Sequence, residues 1–158
     1  MRRLYLAGEH DKGIKEYLES KTLQSLIVNF FDAKKPVGAV CHGVVLVSRS
    51  INPVTNKSVI YDYKTTGLLK SQELTAHKMT QLWLKDYYRT YPNTTVEDEV
   101  KSVLSDENNF IKGPTPLLRD TQKNLKRGFT VIDKNYISAR WPGDIYGFSN
   151  QFIKMIQF

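Results

Sequence analysis

A short run of small and apolar residues, Val37-Gly38-Ala39-Val40-Cys41, passes without an intervening loop into His42-Gly43-Val44-Val45-Leu46-Val47-Ser48-Arg49-Ser50. The first part reads as a central strand covered on both faces, and the second as a buried helix. A chain that goes straight from strand to helix must turn sharply at the junction. The side chain at that turn points beyond the carboxyl end of the strand, where open α/β sheets gather their ligands. Cys41 holds that position, and the small residues two before and two after it, Ala39 and Gly43, permit the close packing a sharp elbow needs.

The rest of the chain supplies what a sheet around this strand would require. Arg3–Ala7 reads as a short strand and 8–13 as a turn feeding a helix that carries Ile14, Tyr17, Leu18, Leu26, Ile27, Phe30 and Phe31. That helix breaks near Ser20 and stops before Pro36. Residues 52–57 form a turn and 58–63 a strand. Residues 71–91 are expected to be helical, with Leu74, Leu82, Trp83 and Tyr87 facing inward, followed by a short acidic helix over 96–104 and a strand over 109–112. Residues 129–133 and 136–139 make a hairpin across Lys134-Asn135, and Pro142-Gly143-Asp144 opens the last helix. Strands alternating with helices imply an α/β sandwich with a mostly parallel sheet. A chain of 158 residues, 41% hydrophobic, is read as one domain, 1–158.

Cysteine count and charge narrow the chemistry. One cysteine forbids an internal disulfide framework and a multi-cysteine metal cluster, and no metal is expected. The 23 Lys and Arg outnumber the 16 Asp and Glu, giving +7. Those bases are scattered among acids, with no basic helix and no aromatic-basic sheet motif, and this argues against a nucleic-acid partner. No run approaches the ~20 apolar residues that cross a bilayer, and no cleavable leader is recognisable, so the expectation is a cytoplasmic protein without a membrane partner.

An elbow thiol at a helix N-terminus is expected to have its pKa lowered by the helix dipole and free N–H groups. The alternative is a buried cysteine that merely packs. His42 beside Cys41 favours the reactive reading.

Val37-Gly38-Ala39-Val40-Cys41-His42-Gly43-Val44 resembles the nucleophile elbow of the ThiJ/PfpI superfamily. Leu6-Ala7-Gly8-Glu9-His10-Asp11-Lys12-Gly13 is similar to that family's Leu-Pro-Gly-Gly-His loop, and the segment 133–144 to its terminal strand, loop and helix start. The resemblance implies a doubly wound, mostly parallel sheet flanked by helices, flavodoxin-like and class I glutamine amidotransferase-like. It implies Cys41 as nucleophile toward an aldehyde or amide-type substrate and His42 as the adjacent base or proton shuttle. The backbone of His42 and the loop of Gly8 and Glu9 would bind the oxyanion, with His10 and Gly43 beside them. Arg140 would meet a substrate carboxylate or pair with a neighbouring acid, Asp144 would cap a helix start, and His77 would be a surface imidazole. True glutamine amidotransfer would need a late His-x-Glu pair, and the chain has Arg140-Trp141-Pro142 there.

Two departures from the family pattern bear on function. Glu9 stands where the family has a second glycine, and the family's N-terminal strand-helix-strand portion, with its acidic partner for the thiol, has no counterpart before Arg3. The expectation is an N-terminally truncated domain that assembles as a homo-oligomer. Its function is read as a cofactor-independent glyoxalase, deglycase or amide hydrolase. The alternative is a weakly catalytic or non-catalytic stress-sensing, redox-sensing or interaction module of the same fold.

Overall fold

A computed structural model describes residues 3–10 and 13–157. The chain begins with β1 (Leu4–Leu6), α1 (Ile14–Glu19), α2 (Lys21–Asp32), β2 (Val37–Val40) and α3 (Gly43–Ser48). A small hairpin of β3 (Ile51–Asn52) and β4 (Lys57–Ser58) follows, then α4 (Lys70–Leu84) and α5 (Val96–Ser102). The chain closes with β5 (Thr130–Asp133), β6 (Tyr136–Ala139) and α6 (Ile145–Gln157).

The main sheet has the order β1-β2-β6-β5, parallel across its first three strands and antiparallel between β6 and β5. Val37 to Val40 of β2 are all buried, paired with Leu4–Leu6 on one side and Tyr136–Ala139 on the other. The ladder extends one residue further, because the Cys41 N–H donates to the Ala139 carbonyl at 3.1 Å. The elbow is therefore anchored to the sheet up to the residue at which it turns.

Helices cover both faces of this sheet. The break expected near Ser20 occurs there: Ser20 leaves the helical region, and its Oγ accepts the Leu23 N–H at 3.3 Å as the N-cap of α2. Every residue of α3 is buried. The apolar core joins Leu18, Ile27 and Phe31 to Val44–Val47, Ile60, Val100, Tyr136 and Phe148.

Several expectations are corrected. The strand expected over 58–63 ends at Ser58, because the Ser58 carbonyl accepts the Tyr61 N–H and the Ile60 carbonyl the Tyr63 N–H, curling the chain into turns. The strand expected over 109–112 reduces to one bridge between Phe110 and Thr65 beside a 3-10 turn at Glu107–Asn109. The helix expected to reach Tyr91 stops at Leu84, where Lys85 takes φ 49°. Its expected inner face is turned out: Leu82 is 89% exposed and Trp83 67%, while the buried residue of α4 is Glu73.

Candidate active site

Cys41 has φ 56°, a left-handed conformation that is sterically costly for any residue but glycine, and the ladder bond at its own N–H holds it there. The loop after β1 lies directly on the elbow. A Cβ on Gly8 would fall 2.4 Å from both the His42 nitrogen and the Val40 oxygen, and one on Gly43 would fall 2.4 Å from the Leu6 oxygen. Neither position admits a side chain, so both glycines are required by close backbone approach. This packing brings His10 to the elbow, with its ring edge-on to that of His42 at 4.6 Å between centroids.

His42 is 1% exposed. Its Nδ1 lies 3.6 Å from the Cys41 Sγ, and its Nε2 lies 3.2 Å from the Thr90 Oγ1. With the thiol facing one ring nitrogen and a hydroxyl the other, the imidazole is held in a fixed orientation between them.

The electrostatics reverse one expectation. Burial pushes the Cys41 thiol up to about 12, opposed by the His42 N–H and reinforced by the charge of Glu73. A helix terminus contributes on the order of 0.3–1 kcal/mol, less than one pKa unit, whereas full burial moves a group by as much as 3–5 units. Desolvation wins. Burial also lowers His42 to about 3, with His10 adding to the effect, and lowers His10 to about 4. At neutral pH the trio rests uncharged, as a thiol beside two neutral imidazoles.

Cys41, His10, Gly8 and Glu9 line a cleft of about 740 Å³, whose other side carries Glu73 from α4 and Trp141 from the loop after β6. Glu73 was not singled out from the sequence. It is 2% exposed, its Oε2 accepts the Val96 N–H at 3.0 Å, and burial raises its pKa. It also borders, with His42 and Thr90, a smaller cavity behind the elbow. The only sequence signal for it is an acid interrupting the apolar positions of a helix.

Arg140 takes the second of its two expected roles, pairing with a neighbouring acid, and is absent from the cleft lining. It is fully buried and pairs with Asp144, Nε to Oδ2 and Nη2 to Oδ1, both at 2.9 Å, while its Nη1 donates to the Pro114 carbonyl. Asp144 accordingly does not cap α6; its oxygens face Arg140 and the Phe129 N–H, and Asp120 accepts the Tyr146 and Gly147 N–H groups instead. The guanidinium on the cleft is that of Arg119. His77 is half-buried on α4 and absent from the cleft lining.

A ThiJ/PfpI family-like model matches residues 2–114, which include the β1 loop, the elbow, α4 and α5. The chain belongs to the ThiJ/PfpI-like family. No curated protein matches it. Among solved structures, a crystallographic structure bearing no functional name superposes with a TM-score of 0.73 at 16% identity, covering 98% of this chain and 59% of its own. The 24 kDa Rapid Encystment Protein of Francisella tularensis superposes at 0.70 and 16% identity, covering 97% of this chain and 57% of its own. Glyoxalase III of Candida albicans superposes at 0.68 and 19% identity, covering 97% and 56%. The fold is thus the flavodoxin-like one of this family, and the chain spans less than two thirds of the length of these neighbours. Among the described residues no helix is long and apolar enough to cross a membrane.

Proposed function

We propose that the chain carries the catalytic elbow of a cysteine-dependent enzyme acting on small reactive aldehydes, in the manner of a glyoxalase. The observation that carries this reading is the Cys41–His42 contact at 3.6 Å on an elbow whose strained φ is fixed by the sheet. In the first step the thiol proton passes to His42 Nδ1 as the sulfur attacks the aldehyde carbon. A C–S bond forms, the carbonyl π electrons move to oxygen, and His42 returns the proton to that oxygen to give a hemithioacetal. Gly8 and Gly43 bring the His42 and Gly43 N–H groups against the β1 loop, where they can stabilise the developing oxyanion. Glu73, bordering both the cleft and the cavity behind His42, is the acid that would stabilise the transient imidazolium.

The redox-sensing alternative asks the same of Cys41 as catalysis does, a thiol that reaches the thiolate, and burial opposes that state in both readings. A thiol that ionises only by handing its proton to a neighbour suits catalysis with a bound substrate. Methylglyoxal consumption with lactate formation tests the reading. Wild type is expected to turn over, and Cys41→Ala to lose activity by about a thousandfold or more. Equal rates in the two proteins would refute it.

A further inference from the structure

His10, Cys41 and His42 each offer a ligand atom, and these atoms all lie within 4.8 Å of one another. We propose that these three side chains form a site for a divalent d-block cation of Zn2+ type, with its fourth position open to the cleft.

The geometry is already close to that of a bound ion. Zn–S of about 2.3 Å and Zn–N of about 2.0–2.1 Å at tetrahedral angles separate a sulfur and a nitrogen ligand by about 3.5 Å. Cys41 Sγ and His42 Nδ1 stand 3.6 Å apart. Only His10 must close in.

Two further observations bear on the same ion. His42 has its far nitrogen against the Thr90 Oγ1 at 3.2 Å, the outer-sphere partner that fixes a ligating imidazole's tautomer and ring plane. His10 Nδ1 is buried with no hydrogen-bond partner among the described residues, an arrangement that a metal bond or a proton donor would satisfy. One thiolate and two imidazoles select Zn2+ and its neighbours over Mg2+ or Ca2+, which prefer oxygen. Three protein ligands leave one position for water, and Cys41 and His10 both line the cleft from which it would come.

Binding does not depend on the aldehyde chemistry, although its consequence rests on that reading. Ligation releases the thiol proton to solvent and occupies His42 Nδ1, so the proton transfer that opens the aldehyde reaction has neither its donor nor its acceptor, and the loaded form is the inactive form of a Cys41 enzyme.

Titration of the metal-free full chain with Co2+ tests the site through its spectrum rather than its activity. One equivalent is expected to bring up a thiolate-to-cobalt charge-transfer band and the intense visible absorption of tetrahedral cobalt, both abolished by Zn2+ displacement and absent in Cys41→Ser. Thr90→Val should weaken binding about 10- to 100-fold, and His10→Ala at least as much. His77→Ala should change nothing. A folded wild type that shows no charge-transfer band overturns the proposal, as does undiminished affinity in His10→Ala with native circular dichroism. Intact cobalt binding in a protein inert toward methylglyoxal would remove the glyoxalase reading and leave the metal site standing.

Discussion

The two walls of the cleft are held by different physics. The inner wall, β2, Cys41 and α3, is secured by apolar burial: Val37, Ala39, Val40 and every residue of α3 are buried. The outer wall, α4 with the segment around Pro114–Arg119, leaves Met79, Leu82, Trp83 and Leu117 exposed and is tied down by buried carboxylates. Glu73 binds the start of α5 through the Val96 N–H, and Asp144, through Arg140, reaches the Pro114 carbonyl. A nucleophile needs a position fixed by close packing, which an apolar wall supplies. Directional polar ties fix where the facing wall begins and ends, while Met79 and Leu117 stay exposed on the cleft.

Removing one polar tie should have the largest effect on stability. Arg140→Ala leaves the Asp144 carboxylate buried without its cation, a defect that costs about 3–5 kcal/mol. Urea melts should show a lowered midpoint of that size, and a change under 1 kcal/mol would show that the outer wall has another anchor. The inner wall fails differently. Leu46→Ala removes a fully buried side chain and should cost about 2–5 kcal/mol, whereas Leu82→Ala, at 89% exposure on the outer wall, should stay within about 0.5 kcal/mol. A large loss for Leu82→Ala would mean that something covers this face in solution.

The inner wall was legible in the sequence because its signals are local. An apolar run, a small residue on each side of Cys41 and the Gly8 loop specify the elbow, and the Lys134-Asn135 turn specifies the hairpin that completes the sheet. The outer wall was not, because its organisers act across long separations. Glu73 meets a backbone group 23 residues away, and Arg140 a carbonyl 26 residues away. Periodicity marks Leu82 and Trp83 as one helical face without saying whether anything lies opposite. The thiol pKa was misjudged for a related reason: helix position is local, and the depth of burial that overrides it is a property of the whole packed core.

A pH dependence separates the walls by sign. His42 is lowered to about 3 in the folded protein against an ordinary 6.5, so the unfolded chain binds its proton first as pH falls. Stability held by the neutral imidazole at pH 7 is lost through the window from about 6.5 downward, with a slope of at most about 1.4 kcal/mol per pH unit. His10, lowered to about 4, acts in the same sense. Glu73 acts oppositely. Its folded pKa is raised, so between 4.5 and that higher value the folded protein binds the proton first, and acidification through this window adds stability. Glu97 and Asp98, whose pKa values are lowered by lysines, lose stability on acidification in every variant and form a common background. Melts between pH 7 and 4 should therefore show a shallower acid loss in His42→Gln than in wild type and, in the stretch just above 4.5, a steeper one in Glu73→Gln. Parallel curves for all three proteins would mean that neither wall buries its titratable group as deeply in solution.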